Sequence, residues 1–485
     1  MRLSALNEFW IAGPLSATLL FASVAPHVAQ AGDWDFRHRT AVGLTHVDRT
    51  GNGAQSGMVL QAIPQIYLSG SGGRVAANLN YSLTASAGTD DMDPRPLAHN
   101  GFGSVRVEAV EDFFWLGAQA TARLSGGSRN SGPVDAINAN TDGANQTFSF
   151  AIKPEFRHHL NRYAEIVSLN SFDYVNNDTD DATGSRDSRS ALLNLSLRDG
   201  RYFSQFDWGL NATQRRTNYS SDDSTETRSL VDGTISRRLD AHWSVLGRVG
   251  YEDNDVRTTR STTSGTIWDL GGTWNPSPRT TVNAEFGSRY FGPRYKVDLR
   301  HRSRRTLLTA GFSRDIDNRR TNVLLDSYFL LTDSNGNPVL DPNTGNPIYA
   351  NTPDTRATDE DFVNTQFRAA VTVTGRRTNV TLTGTVSNRD YEVTPGQEDW
   401  FGGTLRITRQ LGSNYRASLG GNVRSTRNEN GGDIDSYDVN LLLSKNLSPI
   451  TTVAVDFLYR DYDHSLPGLS YKENRVGIWY RTTFL

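Results

Sequence analysis

The chain contains no cysteine, so disulfide scaffolds, thiol catalysis and thiolate metal sites are excluded. Beyond its N-terminus it has no run of about 18 apolar residues, which excludes a membrane-spanning helix. Lysine is nearly missing: of 50 basic residues only four are Lys and the rest are Arg. An excess of one charge sign is lacking too. The net charge is −3, unlike a nucleic-acid binder, whose cations gather into a basic face. Hydrophobic residues fill 36% of the 485 positions, too few for the several soluble domains this length would ordinarily hold. Aromatics, at 10%, are too frequent for a disordered chain. Catalytic signatures are also missing: no GxSxG elbow, HExxH pair, P-loop or helix-opening GxGxxG occurs. Neither an enzyme nor a cofactor is expected.

What is present begins with a processing segment. Residues 1–31 carry Arg2, an apolar stretch from Phe9 to Val24, and a small-x-small ending at Ala29-Gln30-Ala31. That is the layout of a secretory signal peptide cleaved after Ala31. Residues 32–485 would then be exported, and an exported chain without cysteine suits a bacterial envelope.

The remainder repeats one pattern. Every second residue is apolar in Val75-Ala77-Leu79-Tyr81-Leu83, Ala191-Leu193-Leu195-Leu197, Trp243-Val245-Gly247-Val249-Tyr251 and Tyr437-Val439-Leu441-Leu443. Period two over such lengths gives a strand with one apolar and one polar face. Counting these segments yields 22 strands from Trp34 to Phe484, or 20 to 24 depending on whether Val323–Thr332 pairs with Asn346–Ala350. Tight turns such as Arg198–Arg201, Asp240–His242 and Gly375–Arg377 alternate with long polar loops such as Ser125–Gln146, Asn254–Thr263 and 316–359. That alternation marks the two ends of an outer-membrane barrel. Tyr202, Trp243 and Tyr415 follow tight turns while Phe156 and Trp274 precede them, as interfacial girdle aromatics do. A soluble β-sandwich would instead carry its polar face outside and long loops at both ends. The expected fold is all-β: one transmembrane antiparallel up-and-down barrel with short periplasmic turns, long extracellular loops and no plug domain.

If the apolar set faces lipid, the alternate set lines the pore. The candidate pore-lining residues are Glu285, Arg289, Lys296, Asp298, Arg300, Arg302, Arg368, Arg406, Arg416 and Arg424. Mixed charges with an Arg excess imply a wet interior, because a barrel this wide is not filled by side chains alone. Residues 316–359 are expected either to fold inward and narrow the lumen or to form an extracellular flap. The acidic runs Asp178–Asp181 and Asp222-Asp223 lack EF-hand spacing. No metal site is expected.

The stretch Gly287-Ser288-Arg289-Tyr290-Phe291-Gly292, with Tyr295, Leu299, His301–Arg305 and Gly311-Phe312-Ser313-Arg314-Asp315, resembles a signature hairpin of the PEP-CTERM system-associated outer-membrane β-barrel family. Phe113–Leu116 and Leu331–Gly336 are similar to that family as well. The resemblance implies a Gram-negative outer-membrane component associated with exopolysaccharide systems, and it transfers no catalytic residue. Two functions follow as expectations: a pore for exopolysaccharide or other hydrophilic solutes, or a structural component of an envelope complex that conducts little. Outer-membrane lipid and lipopolysaccharide are the expected surroundings. An anionic polysaccharide and periplasmic export proteins are the expected partners, and nucleic acid is not.

Overall fold

A computed structural model of the chain describes residues 32–89, 91–126, 134–140, 143–178, 187–203, 206–220, 224–317, 360–394, 396–429 and 431–484. The processing segment 1–31, the bulk of loop 316–359 and acidic residues 179–181 and 222–223 lie outside the described residues.

The strands are β1 (Gly32–Gly51), β2 (Gln55–Gly72), β3 (Val75–Gly88), β4 (Leu97–Val110), β5 (Phe114–Gly126), β6 (Ala144–His159), β7 (Ala164–Leu169) and β8 (Ser171–Asp178). They continue as β9 (Ser188–Asp199), β10 (Phe206–Tyr219), β11 (Thr225–Arg238), β12 (Trp243–Asp255), β13 (Gly265–Ser277), β14 (Thr280–Arg289), β15 (Gly292–Arg302) and β16 (Thr306–Asp317). The last seven are β17 (Phe362–Thr374), β18 (Thr378–Tyr391), β19 (Gln397–Gln410), β20 (Tyr415–Asn428), β21 (Ile434–Asn446), β22 (Thr451–His464) and β23 (Tyr471–Phe484).

All pairings are antiparallel, and β1 pairs with β23 from His38↔Phe484 to Gly51↔Tyr471, closing the sheet on itself. Both β7 and β8 pair with β6 on one side and β9 on the other, so they are halves of one stave. Their break has a cause in the sequence. Pro154 of β6 sits opposite the joint at Asn170, and proline has no N–H to donate there; only the Asn170 N–H to Pro154 carbonyl bond remains, at 3.0 Å. Twenty-three segments therefore make 22 staves, the number read from the alternation.

Closure decides which face meets what. Val231, Val249, Leu270 and Leu210 are 56–63% exposed, and they belong to the apolar registers of their strands. Charged residues on the alternate registers, such as Asp232, Glu252 and Asp269, are buried. Apolar side chains outside and ion pairs inside invert a soluble protein. The outward surface is a belt for lipid, so the molecule is a transmembrane barrel of the outer-membrane type. At the end bearing the tight turns, Trp243 and Trp274 stack with ring centroids 5.5 Å apart, and Tyr163 and Tyr202 meet at 4.8 Å. These rings form the expected girdle.

Several boundaries differ from the sequence reading. Arg198 and Asp199 complete β9 instead of opening a turn, and Asn254 and Asp255 complete β12. Loop Ser125–Gln146 shrinks at both ends, because β5 runs to Gly126 and β6 starts at Ala144. Loop 316–359 loses Ile316, which with Asp317 pairs to Val363 and Phe362. Polar residues at these positions extend strands beyond the lipid belt, where a polar outward face costs nothing and each added pair satisfies more backbone.

Because closure leaves no free edge, the unheated barrel should run faster in SDS than the boiled chain. Equal mobility before and after boiling would contradict the closed fold.

Candidate functional site

The candidate site is the lumen, and two of its walls are built differently. On the wall from β11 to β16, eight charged side chains form one ladder. Arg248 bonds Asp232 at 3.0 Å and Asp269 at 3.4 Å. Asp269 receives Arg294 at 3.0 Å, and Arg294 also reaches Glu285 at 3.2 Å and Asp315 at 2.9 Å. Arg289 joins Asp315 at 3.0 Å to Glu252 at 2.7 Å. Asp269 and Arg294 stand two strands apart, separated in the register by Gly287. A Cβ at Gly287 would lie 2.1 Å from an Asp269 carboxylate oxygen. Glycine at that inward position is what lets the two side chains lie flat along the wall and meet.

The opposite wall holds chain that belongs to no strand. Segment 134–140, between β5 and β6, lies inside the barrel. Its Asp135 accepts a 2.8 Å bond from Arg475 and lies 3.9 Å from Arg460. Ile137 packs with Met92 and with Val47 and Val59, inward residues of β1 and β2. The Arg95 N–H donates to the Ala136 carbonyl at 2.9 Å, tying this segment to residues 92–95. The local shape follows from the sequence: Asp135 accepts from the N–H groups of Ile137 and Asn138, at 2.9 and 3.2 Å, an Asx turn. Removal from water raises the Asp135 pKa, but Arg475 and Arg460 outweigh that and hold it below the ordinary carboxylate range.

Loops also gather over the mouth above β11–β18. Arg260, in the loop after β12, grips Glu392 after β18 through Nε and Nη2, at 2.7 and 2.8 Å. Arg228 of β11 pairs with Asp361 ahead of β17. The Tyr290 hydroxyl lies nearby, its pKa raised chiefly by burial.

All ten candidate pore-lining residues fall on inward registers. Glu285 and Arg289 join the ladder, and Lys296 pairs loosely with Asp298 at 3.8 Å. Arg368 lies opposite Gly311 and Arg424 opposite Ser436, while Arg406 faces Thr381. Arg300, Arg302 and Arg416 are exposed near the tight-turn end, without a side-chain partner among the described residues. The candidates read from the sequence do not include Arg294, the hub of the ladder, or Asp135. For Arg294 the signal was its even register with Lys296 and Arg300. For segment 134–140 it was Val134 and Ile137, two apolar residues inside an otherwise polar loop.

No protein-family model and no curated protein matches the sequence. Among solved structures, the chain is similar to the ferric-catecholate import receptor Fiu from E. coli K12, with 9% identity, TM-score 0.49 and coverage of 92% of this chain and 81% of that one. It is also similar to the siderophore receptor PirA from Pseudomonas aeruginosa, at 10% identity, TM-score 0.46 and coverage of 93% and 80%. The FrpB iron transporter from Neisseria meningitidis aligns at 10% identity and TM-score 0.47, over 94% of this chain and 84% of that one.

Proposed function

We propose that the protein is a non-enzymatic outer-membrane conduit for hydrophilic anionic solutes, with its tight-turn end in the periplasm. The observation that carries this reading is the set of solvated guanidinium groups of Arg300, Arg302 and Arg416 on the inward face, which have no side-chain partner among the described residues. Lipid headgroups cannot reach that face, so these cations serve whatever passes. Arginine stays charged at every physiological pH and its planar fork matches carboxylates and phosphates. A barrel of this width holds water, and mixed charge along its wall suits a solute that sheds little of its hydration. The likeness of the region Gly287–Asp315 to PEP-CTERM-associated barrels directs the proposal toward exopolysaccharide as cargo, with periplasmic export proteins as partners and lipopolysaccharide as surroundings.

Planar-bilayer recording tests the reading. Discrete conductance steps are expected, with a reversal potential favouring anions in a salt gradient. Replacing Arg300 and Arg302 by Gln should shift that potential toward cations while SDS mobility stays that of a folded barrel. Silence at high protein load would return the second reading, a structural component that conducts little; the chain lodged in the lumen at 134–140 is the feature that favours it.

A further inference from the structure

The wall formed by β1 and β21–β23 carries an ion-pair cluster that a carboxylate from a loop joins. Three arginines, Arg49, Arg460 and Arg475, meet two wall carboxylates, Glu473 and Asp438. Glu473 lies 2.7 Å from Arg475, 3.5 Å from Arg460 and 3.9 Å from Arg49, and Asp438 takes the Arg460 Nε at 2.8 Å. The third carboxylate, Asp135, arrives on a loop. Arg460 and Arg475 keep only 8% and 6% side-chain exposure, and a cation so enclosed is costly to leave unpaired. Asp135 therefore occupies a two-arginine receptor for an anionic group. The segment's other contacts include the apolar cluster through Ile137, the backbone bond from Arg95 to Ala136 and a 3.4 Å bond from the Asn140 amide to Asp93.

We propose that Arg460 and Arg475 form a carboxylate-binding site of the pore, held at rest by Asp135, and that a carboxylate-bearing saccharide entering this site displaces segment 134–140 and widens the lumen. This rests on the conduit reading. Exchanging one carboxylate for another conserves the charge of the cluster, so the displacement costs the segment's uncharged contacts and not an ion pair. A polymer that repeats its carboxylates presents them to the site at high effective concentration. A neutral saccharide of equal size offers no replacement charge and leaves the segment in place.

Single-channel recording of the full barrel with trigalacturonate, against maltotriose as the neutral control, tests this. Trigalacturonate should raise the occupancy of the wide level about tenfold, the scale of one charge-assisted hydrogen bond exchanged. Maltotriose should not. Asp135→Asn keeps the Oδ1 acceptor of the turn but loses the charge, and it should sit in the wide level without ligand. A Val59→Cys, Ile137→Cys pair, in a chain otherwise free of cysteine, should lock the narrow level until reductant is added. Steps that ignore trigalacturonate and are unchanged in heat-modifiable Asp135→Asn would overturn this inference alone. Silence of the parent, of Asp135→Asn and of the reduced double variant would overturn the conduit reading with it.

Discussion

Arg294→Leu should cost the barrel about 3 kcal/mol, the low end of the range for removing one partner from a buried ion pair. Arg294 serves Asp269, Glu285 and Asp315 at once, at 3.0, 3.2 and 2.9 Å. Glu285 and Asp315 keep 26% and 38% side-chain exposure and rehydrate when the guanidinium leaves. Asp269, at 3%, cannot. Arg248 still lies 3.4 Å from it, which is why the expected loss stays at the low end. Gly287→Val should bring a comparable loss with every charge retained, because its side chain would stand between Asp269 and Arg294. Heating in SDS and following the fraction with fast mobility reads both variants. A transition unchanged from the parent in both would mean that lumen water, not the ladder, carries these charges.

Val249→Arg should cost about 2–4 kcal/mol, the penalty for Arg on the lipid face at mid-membrane, and should lower the folded yield in lipid vesicles. Val249 lies at the centre of β12, is 60% exposed, and sits between Gly233 and Trp268 on neighbouring strands. Thr213→Arg on the inward register of β10 serves as the control and should fold normally, since its side chain enters water. Equal tolerance of both substitutions would mean that the apolar exterior does not face lipid. Losing both would mean that the lumen is too narrow for another guanidinium.

The sequence makes the staves legible because a strand's alternation is local. Trp243-Val245-Gly247-Val249-Tyr251 states its outward face without reference to any other segment, and so do most of its counterparts. Boundaries were less legible. Past the lipid belt both faces are polar, so alternation stops reporting the strand while the hydrogen-bond ladder runs on, as it does to Tyr219 and Asp317. Pro154 was visible in the sequence, but its effect depends on lying opposite Asn170, a matter of register between β6 and its neighbour.

By itself, the sequence determined the class of molecule: an outward apolar belt, an inward charged face, aromatic girdles and 22 staves. These follow from side-chain period and composition, which need no partner to be expressed. Tertiary structure alone decided which charges meet. Asp269 and Arg294 touch because the register of β13, β14 and β15 aligns them across Gly287. Asp135 finds Arg475, 340 residues away, because β23 returns to β1 and brings that wall beneath the loop after β5. Ion pairing depends on distances of a few ångströms between residues far apart in the chain, and only the closed register sets those distances.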